Sequence, residues 1–124
     1  MPKLLYVEDD SLLRTVTSMA LEDAGYEVVE AHDGHQARQL LETHGGFDYV
    51  ISDISMPGGM SGLEVARAAL EARPGCRTVL VSGYASAQLP SLPASVVYLG
   101  KPFRVKQLIE TCLLYTSDAA DEGL

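Results

Sequence analysis

Five short apolar runs, separated by stretches with helical spacing, leave this chain few folds to choose from. Leu4-Leu5-Tyr6-Val7 runs into Glu8-Asp9-Asp10, and Phe47-Asp48-Tyr49-Val50-Ile51-Ser52 ends at Asp53. Val79-Leu80-Val81 gives way to Ser82-Gly83, and Val96-Val97-Tyr98-Leu99 to Gly100-Lys101-Pro102. Tyr26-Glu27-Val28-Val29-Glu30 supplies the remaining strand. Strands alternating with helices argue for βαβ units and a parallel sheet, so an α/β fold of (βα)₅ order is expected.

The intervening stretches carry helix signals. Leu13, Val16, Ala20, Leu21 and Ala24 recur at helical spacing, and Gly25 follows as a C-terminal stop. Asp33 can cap a helix carrying Ala37, Leu40 and Leu41 that ends near Gly45-Gly46. Ser61-Gly62-Leu63-Glu64 reads as a capping box for a helix through Val65, Ala68, Ala69 and Leu70, closed by Pro74-Gly75. Pro90 and Pro93 leave room for only a stunted fourth helix between Ser86 and Ser95. Val105, Leu108 and Ile109 begin the last helix.

At 124 residues the chain is one domain. Its net charge of -8 argues against non-specific binding to nucleic acid or anionic lipid. Cys76 and Cys112 offer neither metal spacing nor a disulfide framework. Nothing approaches transmembrane length and no signal peptide is visible, so a cytoplasmic protein is expected. Residues 1–111 are expected to form the domain. The tail, 112–124, fits the pattern poorly and resembles the in-frame translation of a transposon-end adapter. The expectation is that native sequence was cut near Thr111 and the last helix completed by foreign residues.

In an open parallel sheet, ligands bind beyond the carboxyl ends of the strands, where the strand order reverses. Glu8, Asp9 and Asp53 would meet there. Two carboxylates about 4 Å apart repel by about 4 kcal/mol at an effective dielectric of 20. A hard divalent cation such as Mg²⁺ relieves that repulsion, taking carboxylates, water and phosphate oxygen as ligands. It leaves a carboxylate able to attack phosphorus, with Lys101 as a mobile positive charge and Ser82 as a hydrogen-bond donor. Each part alone has a duller reading: Asp9-Asp10 as helix caps, Ser82-Gly83 as a turn, Lys101-Pro102 as a solvated loop, Asp53 as an Asx turn. Their joint occurrence at four strand ends favours the chemical reading.

Val7-Glu8-Asp9-Asp10, Asp53-Ile54-Ser55-Met56-Pro57, Ser82-Gly83-Tyr84-Ala85 and Tyr98-Leu99-Gly100-Lys101-Pro102-Phe103 together resemble the motifs of a bacterial response-regulator receiver domain, in order. The resemblance implies a doubly wound, flavodoxin-like sheet of order 2-1-3-4-5. It implies that Asp53 accepts a phosphoryl group from a histidine kinase's phosphohistidine. Glu8, Asp9, Asp53 and the Ser55 carbonyl would hold Mg²⁺, and Lys101 would contact the phosphoryl group. Ser82 and Tyr98 would form the switch, and Asp10 lies outside the metal site as a cap or surface charge. The expected partners are a histidine kinase or phosphotransfer protein and a downstream effector, with no nucleic acid and no membrane.

Three departures bear on this. One is the altered last helix, which is expected to weaken the face that receivers commonly use for dimerisation and output. The stretch from Asp53 to Gly62 is one position longer than the family pattern, the extra residue lying in Gly58-Gly59. The stretch from Ser82 to Lys101 is shorter than usual, so the shortened fourth helix leaves at most a weak dimer of the usual kind. Tyr84 is expected either to shield the acyl phosphate from water or simply to pack on the surface. His32, His35 and His44 are expected at the surface without a metal, and Cys76 as a small apolar core residue. The expected protein is a phosphorylation switch with no diffusible product. The alternatives are an aspartyl-nucleophile phosphohydrolase and a degenerate receiver that acts only as an interaction module.

Overall fold

Side-chain alternation along the first strand, β1 (Lys3–Val7), decides where the two halves of the core lie. Leu4 and Tyr6 join one cluster with Leu21, Tyr49, Ile51, Val79 and Leu108, while Leu5 and Val7 join another with Ala37, Leu41, Val50 and Val65. A strand buried on both faces must lie in the middle of a sheet that is covered on both sides. The computed structural model of the protein describes residues 1–44, 46–55, 58, 60–82, 96–100, 103–104 and 106–111, with the backbone alone for Ser82.

After β1 come α1 (Ser11–Asp23), β2 (Glu27–Ala31), α2 (Gly34–His44), β3 (Tyr49–Asp53), α3 (Gly62–Ala72), β4 (Arg77–Ser82) and β5 (Val96–Gly100). Residues 106–111 are helical. The five strands are parallel in the order β2-β1-β3-β4-β5, as expected. From β1 the chain winds outward to β2, then returns across β1 to build β3, β4 and β5. The order therefore reverses between β1 and β3, and their carboxyl ends flank the crevice.

Local chemistry fixes where the helices stop and start. Asp10 is the N-cap of α1, its carboxylate accepting from the Leu13 amide at 3.0 Å. At the other end Gly25 adopts φ 104°, a conformation open mainly to glycine. The Gly25 amide bonds the Glu22 carbonyl and the Tyr26 amide the Leu21 carbonyl, the paired closure of a Schellman turn. Asp33 caps α2 through the Gln36 amide at 2.8 Å, and Gln36 reaches back to the His32 amide at 2.7 Å.

The capping box expected at Ser61 is not formed. Ser61 occupies the N-cap of α3, but its hydroxyl makes no capping bond. The Glu64 amide instead bonds the Ser61 backbone carbonyl, which leaves no donor for the side chain. Two strands begin earlier or later than their apolar runs suggest. β4 starts at Arg77 because its amide bonds the Asp48 carbonyl and Thr78 is fully buried. Phe47 is buried but precedes β3. The shortened fourth helix, Tyr84 and the tail 112–124 lie outside the described residues.

Candidate functional site

The strand register carries the acids to one place. Val7 pairs with Ser52 across β1 and β3, so Glu8 and Asp53, each the next residue along, leave the sheet side by side. Asp53 is itself in register with Val81 of β4, and the Ile54 amide continues that ladder to the Val81 carbonyl. Glu8 is tied into the sheet on its other side, its amide bonding the Ala31 carbonyl at 3.0 Å. Both carboxylates are therefore mounted on paired backbone rather than on loops.

Glu8, Asp9 and Asp53 can each present a carboxylate oxygen so that the three lie within 4.8 Å of one another. Glu8 and Asp53 are only 3% and 6% exposed, whereas Asp9 faces solvent. Two nearly buried like charges and a third at the rim form a hard-oxygen donor set, open on one side. That chemistry fits a divalent cation such as Mg²⁺, which prefers a few carboxylates and completes its shell with water and phosphate.

Neighbouring backbone groups orient these side chains. The Asp10 amide donates to a Glu8 carboxylate oxygen at 3.2 Å, and the Ser55 amide donates to Asp53 Oδ1 at 3.2 Å. The second contact holds the Ser55 amide against the Asp53 carboxylate. Arg14, one turn into α1, donates from Nη1 to the Glu8 carbonyl at 2.7 Å and lies 3.6 Å from the Glu30 carboxylate. Its guanidinium ties the Glu8 backbone to the Glu30 side chain, a role not foreseen from the sequence. The only available signal was a basic residue in the first turns after an acidic run.

Behind Asp53, Gly62 comes against the strand end. A Cβ on Gly62 would overlap the Asp53 carbonyl oxygen and lie 2.8 Å from the carbonyl carbon. The Gly62 amide bonds the Ile54 carbonyl at 2.9 Å, so the loop that follows Asp53 is closed at its base.

The remaining expected site residues fall as follows. Ser82 ends β4 in register with Gly100, next to Lys101 in the chain. Tyr98 on β5 is half-buried and packs beside Ile54, Ala66, Leu80 and Val96. Lys101 and the Ser82 side chain lie outside what is described. Asp10 serves as a cap, as expected. His32, His35 and His44 are exposed. Cys76 is buried in the apolar cluster beneath α3, and burial pushes its thiol up to about 11. A groove of about 660 Å³ between α2 and α3 is lined by Arg38, Leu41, Met60 and Arg67 among others, and none of the three carboxylates lines it.

Comparison with known proteins supplies the last observation. The sequence family described as "Response regulator receiver domain" matches residues 4–112. The chain is 39% identical over 112 residues to the sensor kinase CckA of Brucella abortus, covering 87% of this chain and 12% of that protein. It is 34% identical over 112 residues to the response regulator receiver protein CpdR of the same organism, covering 88% of this chain and 92% of CpdR. The response regulator protein TrrA of Thermotoga maritima, solved in complex with Mg(2+)-BeF, superposes with a TM-score of 0.79 at 32% identity, covering 93% of this chain and 99% of that one.

Proposed function

Because this chain belongs to the response regulator receiver domain family, we propose that Asp53 accepts a phosphoryl group from the phosphohistidine of a histidine kinase or phosphotransfer protein. One observation carries the reading. Three carboxylates meet within 4.8 Å at the carboxyl edge of β1 and β3, with the deepest two mounted on paired strands. Such a cluster serves no packing purpose, and it lies where a doubly wound sheet opens to ligands.

Glu8, Asp9 and Asp53, with the Ser55 backbone carbonyl, would hold Mg²⁺, which when bound offsets the charge of the phosphoryl oxygens. The Mg(2+)-BeF complex of the Thermotoga protein supports that assignment. In the transfer, an Asp53 carboxylate oxygen bonds to phosphorus as the donor's N–P bond breaks. The released electron pair stays on the imidazole nitrogen. The Ser55 amide on Asp53 Oδ1 fixes one carboxylate oxygen and so directs the other outward. Phosphoryl transfer asks little more of a protein than alignment and charge stabilisation. Lys101 contacts the phosphoryl group, and Ser82 donates to its oxygens.

The response follows through Ser82 and Tyr98. Coupling in allosteric proteins amounts to about 1–3 kcal/mol, enough to bias a two-state equilibrium without refolding the sheet. Support comes from the half-buried Tyr98 ring on the edge strand beside Leu80, whose burial would change at that cost. The protein would then act by docking to a kinase or phosphotransfer protein and to an effector, as a cytoplasmic switch that catalyses only its own modification. No helix among the described residues is long and apolar enough to cross a membrane. We also assign the receiver unit to residues 1–111 and treat 112–124 as foreign to it, in keeping with a family match that ends at residue 112.

Incubation with a small phosphodonor and Mg²⁺, followed by intact-mass measurement, tests the proposal. The expected product carries one phosphoryl group, is stable in acid and is cleaved by hydroxylamine, and Asp53→Asn gives none. Continuous turnover of donor at a high rate would indicate a phosphohydrolase, and no label at all a degenerate interaction module. Uptake by the Asp53→Asn chain equal to that of the parent refutes the assignment.

A further inference from the structure

The loop between Asp53 and α3 is held at more points than its sequence suggests. Its near end is fixed by the Ile54 amide on Val81 and the Ser55 amide on Asp53 Oδ1. Its base is closed by the Gly62 amide on Ile54. A third attachment reaches across from another element. His35, on the first turn of α2, places Nε2 at 2.7 Å from the Gly58 carbonyl oxygen. A carbonyl oxygen only accepts, so Nε2 carries the proton and donates it.

Two features show that this attachment is built into the fold. Gly58 sits at φ 93°, a conformation that side chains resist, and this conformation accompanies the carbonyl's contact with the imidazole. Beside it, Met60 is buried against Gly34, the residue before His35. A Cβ on Gly34 would come within 2.7 Å of Met60 Cγ, so this turn of α2 is shaped to receive the far limb of the loop. Polar and apolar contacts thus seat the same stretch on the same turn of the same helix.

We propose that His35 is a positioning residue, clipping the loop at Gly58 to α2 so that the Ser55 peptide stays against the carboxylates and completes the cation site. The inference rests on the metal reading given under Proposed function. Its physical basis is simple. A loop fixed only at its two ends loses definition in its middle unless something pins it. A pin between Ser55 and Gly62 restores the lost definition, and the imidazole is a pin of the right reach. Groups that orient a ligand without touching the metal commonly govern affinity in this way.

The test is direct Mg²⁺ binding, followed by amide NMR shifts on titrating magnesium chloride into the full 124-residue chain. His35→Leu removes the donor, and His35→Gln keeps an N–H of similar reach. Loss of one such hydrogen bond should weaken Mg²⁺ binding by about two- to tenfold in His35→Leu, and His35→Gln should stay close to the parent. Gly58→Ala strains the same backbone, its added Cβ reaching only ordinary contact distance, 3.6 Å, from the His35 ring, and should also weaken binding. A merely stabilising contact would lower the urea midpoint and leave Mg²⁺ affinity where it was. Parental affinity in His35→Leu, or an equal loss in His35→Gln, overturns the clip and leaves the metal site standing. Failure of the parent to bind Mg²⁺ at all overturns both.

Discussion

Gly62 lies so close beneath Asp53 that its α-carbon leaves no space for a methyl group between the two backbones. The same glycine donates its amide to Ile54, so one residue both closes the loop and supports the strand end that carries the acid. Strand end, loop base and the start of α3 therefore move together or not at all.

Gly62→Ala should accordingly cost more than a helical glycine usually does. In an exposed helix the change from glycine to alanine is favourable by about 1 kcal/mol. Here the added methyl meets backbone, which cannot swing aside, and overpacking of that kind costs about 1–3 kcal/mol. The steric effect should win, giving a lower urea midpoint with unchanged slope. An unchanged or raised midpoint would mean that the strand end yields easily.

Stability should depend on Mg²⁺, and the dependence should run through Asp53. A ligand that binds only the folded state stabilises it by about 2.7 kcal/mol at a hundred times its dissociation constant. Melting the parent chain with and without saturating Mg²⁺ should therefore show a shift of several degrees. Asp53→Asn removes one of the three carboxylates that lie within 4.8 Å of one another, and most of the shift should vanish. Equal shifts in the two proteins would show that the cation binds elsewhere.

Arg14 offers a separate measure of how the acids are held. Its bond to the Glu8 carbonyl is charge-assisted and its side chain only 18% exposed, while its other partner, Glu30, is largely solvated. Buried charge-assisted bonds outweigh surface ion pairs, which are worth about 0–1 kcal/mol. Arg14→Met should thus lower stability by about 1–2 kcal/mol, and Glu30→Gln by less than about 0.5 kcal/mol. Chemical unfolding of the two variants separates the contacts, and the reverse ranking would assign Arg14 to the surface pair.

Much of this arrangement was legible in the sequence, and the parts that were not share a cause. The strands announced themselves because each apolar run stops at a polar residue or a glycine, and a parallel sheet then has to gather Glu8, Asp9 and Asp53 at one edge. Asp10 and Asp33 were readable as caps because capping is local, spanning three residues. Ser61 misled for the complementary reason: the box motif is local, but the Glu64 amide had a backbone carbonyl within reach. Arg14 beneath Glu8 and His35 on Gly58 were invisible, since both depend on how helices dock against the sheet. No spacing rule reports that His35 faces a carbonyl 23 residues away.

Cys76 should behave as an inert thiol whose ionisation opposes folding. It is 1% exposed, and desolvation raises its pKa from 9.0 to about 11. Only the thiolate reacts quickly with an alkylating agent, so at pH 8 the folded chain holds almost none of the reactive form. Iodoacetamide should modify the Cys76 peptide slowly in native protein and rapidly in denaturant, as peptide mass mapping can follow. The linkage has a definite sign. Unfolded chains release this proton near pH 9 and folded chains only near 11, so the contribution to stability is complete below pH 9 and is lost as pH rises through 11. Tyr6, buried on the opposite face and shifted upward chiefly by desolvation, acts in the same direction above pH 10. Cys76→Ala should flatten the fall in urea midpoint between pH 9 and 10, at the cost of a small cavity. A parental pH profile in that variant would refute the role given to the thiol.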